Sequence, residues 1–209
     1  MGRQENAGSV QLGFDALLTQ AETDNRARED AKAYGDLPAT MHAALPFYRA
    51  LLARHNQSML AGDAAAVSVL RQEAHDLAYK LNDYQPGILA NDDAPGCVLD
   101  RLTRACDGEV PIWGQSGSFV VACEGMQAQI ELDGLFGVGA CHMAWLSFAA
   151  NAVEPSKPFL SETGYRSFMG VGGELRAGYS PDAFATSIIA AYVASQLKGK
   201  LKKIGSPTR

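Results

Sequence analysis

Ser118-Phe119-Val120-Val121-Ala122-Cys123-Glu124-Gly125-Met126-Gln127-Ala128-Gln129-Ile130-Glu131-Leu132 decides the fold class. In its second half Met126, Ala128, Ile130 and Leu132 alternate with Gln127, Gln129 and Glu131. A strand turns successive side chains to opposite faces, so this alternation predicts a half-buried strand. Glu124-Gly125 is a two-residue connection with a glycine free to take positive φ, the signature of a tight hairpin. Asp133-Gly134 closes the second strand. Val110–Trp113 is a third, shorter strand candidate. The expected sheet is therefore small and antiparallel, over about residues 110–132.

Outward from this hairpin the texture is helical. Residues 40–60 place Met41, Leu45, Tyr48, Leu52, His55 and Met59 at spacings of three and four. Pro46 lies inside and marks either the first turn or a kink. Asp63 caps a second helix over 63–82, with Val67, Leu70, Ala74, Leu77, Ala78 and Leu81 on one stripe. The short link makes 40–82 an antiparallel helical hairpin, a scaffold or a surface for homo-oligomer formation. Residues 85–117 are rich in Gly, Pro and Asp and read as loop. A third helix is expected over Cys141–Val153, with Met143, Leu146, Ala150 and Val153 on one face. Ser180-Pro181-Asp182 starts a fourth, which runs to about Leu197. Runs of helix and strand without βαβ alternation give an α+β fold: an N-terminal helical hairpin, a small antiparallel sheet and two further helices.

Three segments follow from this. Residues 1–37 form a loosely docked or flexible arm, charged over Glu22–Lys32; residues 38–199 form one α+β domain; residues 200–209 form a basic tail. The chain has 209 residues and a net charge of −5, but residues 198–209 hold five basic groups and no acid. The rest of the chain is therefore strongly acidic, which argues against a nucleic-acid partner. No apolar run reaches the ~20 residues that span a bilayer, and the start lacks a secretory pattern, so a cytoplasmic protein without membrane contact is expected. Cys97, Cys106, Cys123 and Cys141 form no CxxC pair and read as small buried hydrophobes rather than zinc ligands or disulfides.

The richest chemistry lies in Phe159-Leu-Ser-Glu-Thr-Gly-Tyr-Arg-Ser-Phe-Met-Gly170. Ser161, Glu162, Thr163, Tyr165 and Arg166 combine hydroxyls with a guanidinium fork suited to carboxylate or phosphate. Trp113 and Gln115, if their loop shares a side of the sheet with this stretch, would complete a pocket. The expected ligand is a small anion or a protein partner, bound without a cofactor or metal. The competing reading is a self-satisfied turn in which Glu162 pairs with Arg166 and the aromatics anchor the core. Pro158–Phe168 resembles a block in the C-terminal parts of small bacterial proteins, often carried on plasmids or other mobile elements. The resemblance implies an accessory role and brings no activity with it.

Catalytic alternatives are weaker. A small hydrolase or transferase would join Ser161, Tyr165 and Arg166 to a histidine. Cys141-His142 cannot act alone, since helix neighbours point about 100° apart. Gly114-Gln-Ser-Gly-Ser118 misses the nucleophile-elbow spacing. Gly134–Gly139 lacks the Lys-Ser/Thr of a phosphate loop. His55, His75 and Asp63 or Asp76 lack zinc-site spacing.

Overall fold

The computed structural model describes residues 7–137, 146–171 and 175–205. The chain divides into two compact units, Met1–Leu37 and Pro38–Arg209. In the first, helix α1 (Ala7–Ala33) is one continuous helix. It contains no proline and has no single apolar stripe. It rests on helix-forming Ala, Leu, Gln, Glu, Arg and Lys and on local pairs such as Gln20 with Asp24 (2.9 Å).

The second unit opens with helices α2 (Met41–Ala61) and α3 (Ala64–Leu81). Thr40 caps α2 through the Ala43 N–H, and Asp63 caps α3 through the Ala66 N–H. Gly62, at φ +76°, ends α2 in the left-handed conformation that only glycine adopts freely. Pro46 sits inside α2 rather than in its first turn. The buried stripe of α3 is Val67, Leu70, Ala74, Leu77 and Ala78, as its spacing predicts. Arg54 and Glu73 join the two helices at 2.8 Å. Among the described residues no helix is long and apolar enough to cross a membrane.

Helix α4 (Pro95–Thr103) follows, in the stretch expected to be loop. Pro95 occupies its first turn, where the missing N–H costs nothing. Asn91 Oδ1 accepts from the Asp93 N–H (3.0 Å), an Asx turn that leads the chain in. Gly96, Leu99 and Thr103 bury one side. Val110–Trp113 is not a strand.

The sheet is an antiparallel meander in the order β1 (Gly117–Cys123), β2 (Met126–Leu132), β3 (Ser147–Ala152), β4 (Tyr165–Met169). Strands β1 and β2 pair from Gly117–Leu132 to Cys123–Met126, as the alternation predicts. Glu124 and Gly125 both take positive φ, 52° and 77°. Strand β3 corrects the third helix expected over 141–153. Residues 147–152 pair with β2 on one side and β4 on the other, with Phe148 and Ala150 inward. Alanine-rich sequence favours helix locally, but pairing on both edges overrides that preference. Residues 141–145, with Cys141 and His142, lie outside the described residues.

Helix α5 (Pro181–Ser195) covers one sheet face with Phe184, Ala185, Ile188, Ile189 and Val193. It ends two residues short of Leu197, and the Gly199 N–H closes on the Val193 carbonyl (2.9 Å). These residues join Phe119, Val121, Ala128, Ile130, Phe148, Ala150 and Phe168 in one core with Met59 and Val67 of the helical pair. The class is α+β. Cys106 is exposed and Cys97 and Cys123 are half-buried, so the expectation of small core residues fails for these three.

Candidate functional site

The 159–170 stretch divides into an anchor, a turn and a strand. Phe159 and Leu160 are buried in the core. Ser161 Oγ donates to the Tyr165 carbonyl (2.6 Å) and lies 3.1 Å from Thr163 Oγ1. The Tyr165 N–H donates to Thr163 Oγ1 (3.3 Å), and Gly164 turns at φ +74°. The hydroxyls of Ser161 and Thr163 therefore hold the turn that starts β4.

Neighbours on a strand face opposite ways, so β4 separates Tyr165 from Arg166. Tyr165 and Met169 point outward and are 51% and 61% exposed. Arg166 pairs with Ala150 on the inner face, where its guanidinium carbon lies 4.5 Å from the centroid of Tyr192 on α5. Its Nε is buried without a hydrogen-bond partner. Glu162 faces Lys202 at 3.7 Å, and the Arg166 side chain lies on the sheet face toward α5. The C-terminal segment is tied to this stretch: Phe159 and Lys202 exchange backbone hydrogen bonds (2.7 and 2.8 Å), and the Gly205 N–H donates to the Glu162 carbonyl (2.9 Å).

Trp113 and Gln115 stand elsewhere. Trp113 is buried, with its ring 5.6 Å from Phe184 in the first turn of α5, whereas Arg166 meets Tyr192 in the last turns. Eight residues of helix separate these contacts, about 12 Å at 1.5 Å per residue. The Trp113 indole N–H donates to the Tyr179 carbonyl (2.8 Å), and its backbone N–H donates to Asn56 Oδ1 (3.0 Å). His55 Nδ1 lies 3.0 Å from the Trp113 carbonyl; a carbonyl only accepts, so Nδ1 carries the hydrogen. Gln115 Nε2 donates to the Thr103 carbonyl (2.7 Å) and its Oε1 accepts from the Ile112 N–H (3.2 Å). These groups latch α2, α4 and α5 to the start of β1. Ser116 is buried, which removes it as an accessible nucleophile.

A cleft lies at another place, between α4 and the loop after β2. It has a volume of about 560 Å³, within the usual range for small-molecule sites. Cys97, Asp100, Arg101 and Arg104 of α4 line it with Asp133, Gly134 and Phe136 of the loop, and Leu89 and Asp92 complete its rim. Helices α2 and α3 position its back wall. Phe136 stacks on Tyr48 (5.8 Å) and meets the edge of His75 (5.3 Å). The Leu135 N–H donates to the Gly114 carbonyl (2.9 Å), which fixes the loop. Gly134 is required here because a Cβ would fall 1.8 Å from Asp100 Oδ1; the carboxylate lies directly on the bare backbone.

Burial pushes the Asp100 carboxyl above the ordinary range and Asp133 pushes it the same way, while Ser116 and Arg104 pull it down. Arg101 Nη1 donates to the Asp92 carbonyl (2.9 Å). Burial, and then Arg71, lowers the His75 pKa. Among the described residues no group of three or more His, Cys, Asp or Glu stands close enough to hold a metal ion. In the sequence Cys97, Asp133 and Gly134 are read only as a small hydrophobe and a strand end, and Asp100, Arg101, Arg104 and Phe136 carry no motif. One available signal is the i, i+4 pair of Asp100 and Arg104 behind a proline that starts a helix.

Comparison with known proteins finds two relatives in Escherichia coli, both named Protein KlcB. One is 30% identical over 167 residues, which is 79% of this chain and 40% of that protein. The other is 34% identical over 109 residues, 52% of this chain and 22% of that protein. No family model matches the chain. No solved structure matches it either. The chain is thus similar to bacterial proteins whose name states no activity, and it spans 40% or less of their length.

Proposed function

We propose that this chain is a non-catalytic accessory protein that recognises a protein partner through the 159–170 stretch and the outer sheet face beside it. The observation that carries this reading is the outward exposure of Tyr165 and Met169 (51% and 61%), with Ser167 between them on the same face of the edge strand. Tyrosine and methionine are over-represented at recognition surfaces, where a large side chain meets a partner at low entropic cost. Val120 adds a third exposed apolar side chain, on β1. A small hydrolase or transferase at Ser161, Tyr165 and Arg166 is disfavoured on chemical grounds. The Ser161 hydroxyl is committed to a backbone carbonyl, and the other two side chains diverge.

The test is a photo-crosslinking amino acid placed at position 165, and separately at Val69 of α3, which is 66% exposed. A discrete covalent adduct from position 165 in cells, with none from position 69, is the expected result. Equal adducts from both, or none from 165, would overturn the reading. An adduct of doubled chain mass from position 69 would instead favour a homo-oligomer formed through α2 and α3.

A further inference from the structure

We propose that the cleft between α4 and the Asp133–Gly137 loop binds a small organic cation with an apolar body, of the arylalkylammonium class. The lining is built for two different ends of one molecule. Leu89 and Phe136 give it apolar surface, and Asp100 and Asp133 give it carboxylates. Asp100 is the most enclosed charge in the cleft, whereas Arg101 and Arg104 are exposed to water. Arg101 is already engaged with the Asp92 carbonyl. An incoming anion would find partners that water already solvates and would meet Asp100 at close range. An incoming ammonium would instead neutralise a carboxylate that folding has left poorly solvated, so the gain on binding is larger for the cation.

Three features surround that carboxylate without the ligand. Asp100 Oδ1 rests on Gly134, where no side chain intervenes. The buried Ser116 hydroxyl stands behind it, with no well-formed hydrogen bond of its own. Arg104, one turn along α4, attracts it from the exposed side. The Phe136 ring, clamped between Tyr48 and His75, offers a fixed aromatic surface beside the charge, which favours a cation over a neutral group. This inference is independent of the sheet-face reading, since the cleft contains none of residues 159–170.

The probes are 2-phenylethylamine and phenylacetate, which share an aryl body and differ in the sign of the tail. Titration of the full chain, followed by ligand-observed NMR or calorimetry, should show saturable binding of the amine and none of the acid. Asp100→Asn should weaken the amine about 10- to 100-fold by removing a charge-assisted bond. Asp133→Asn provides a second variant should the first fail to fold, judged by circular dichroism. Binding should also weaken as pH falls through the titration of Asp100. Preference for phenylacetate, equal binding of both probes, binding of neither, or an amine affinity that Asp100→Asn and Asp133→Asn leave intact would each overturn the proposal.

Discussion

Gly114→Ala should destabilise the second unit far more than the same change at Gly125, although both glycines have positive φ. At Gly125 (φ +77°) a methyl group meets nothing within 4 Å, so the cost is that of an L-residue in left-handed backbone, about 1–2 kcal/mol. At Gly114 (φ +95°) the new Cβ would lie 2.8 Å from His55 Nδ1 and 3.3 Å from Leu135 Cγ. His55 is fully buried and holds the Trp113 carbonyl, so it cannot retreat without breaking that bond. A buried polar pair left unmade adds about 1–3 kcal/mol. The expected total is therefore about 2–5 kcal/mol. Urea unfolding followed by near-ultraviolet circular dichroism, which reports the packing of the buried aromatics, measures both variants. A double-mutant cycle with His55→Ala isolates the collision, since Gly114→Ala should cost only its backbone term in that background. Equal losses at the two glycines, within about 0.5 kcal/mol, would refute the argument that Trp113 is latched to α2 through His55.

Three further outcomes follow from the charges. The His75 pKa is lowered from 6.5, mainly by burial and then by Arg71. Below that value the unfolded chain takes up a proton that the folded chain resists. Stability should be full above about pH 6.5 and decline as pH falls through the depressed folded value, and His75→Gln should flatten this part of the profile. Asp100 is shifted the other way, chiefly by burial, so the folded chain holds its proton above pH 3.8, where the unfolded chain releases it. Stability is therefore lost as pH rises through the raised value. Asp100→Asn should be more stable than the parent at pH 7, with the difference vanishing below about pH 3.8. A less stable variant at pH 7 would mean that contacts to the ionised carboxylate exceed its desolvation cost. Arg166→Met should stay within about 1 kcal/mol of the parent in urea unfolding. It loses a cation–π contact of about 0.5–2 kcal/mol but relieves a buried, unpartnered Nε. A loss above about 3 kcal/mol would mean that the guanidinium is fully satisfied inside the fold.

What the sequence makes legible is whatever repeats over several turns or several strand residues. Helix α3 shows its stripe over five turns, and β2 alternates without a break, so both are read with their faces correctly assigned. Strand β3 fails because its evidence is not local. Ser147–Ala152 is mostly small residues, and the parity that buries Phe148 and Ala150 has meaning only once β2 and β4 lie on either side. Helix α4 fails for length: nine residues hold too little periodicity to outweigh Pro95-Gly96, which reads as a turn although proline also opens helices.

The two candidate surfaces differ in legibility for the same physical reason. The chemistry of 159–170 is visible because it is contiguous, but contiguity conceals that a strand sends alternate residues to opposite faces. Tyr165 reaches solvent for the same geometric reason that Arg166 does not. The cleft shows the converse. Its Asp100, Asp133 and Phe136 come from a short helix and from a loop more than thirty residues later. They meet because Gly134 lacks a side chain and the Leu135 N–H is held by Gly114. Gly114 is itself placed by Trp113 and His55 of α2. Two glycines, at 114 and 134, are thus what admits a carboxylate to the floor of the cleft, and Gly134→Ala should close that approach before it disturbs any other part of the sheet.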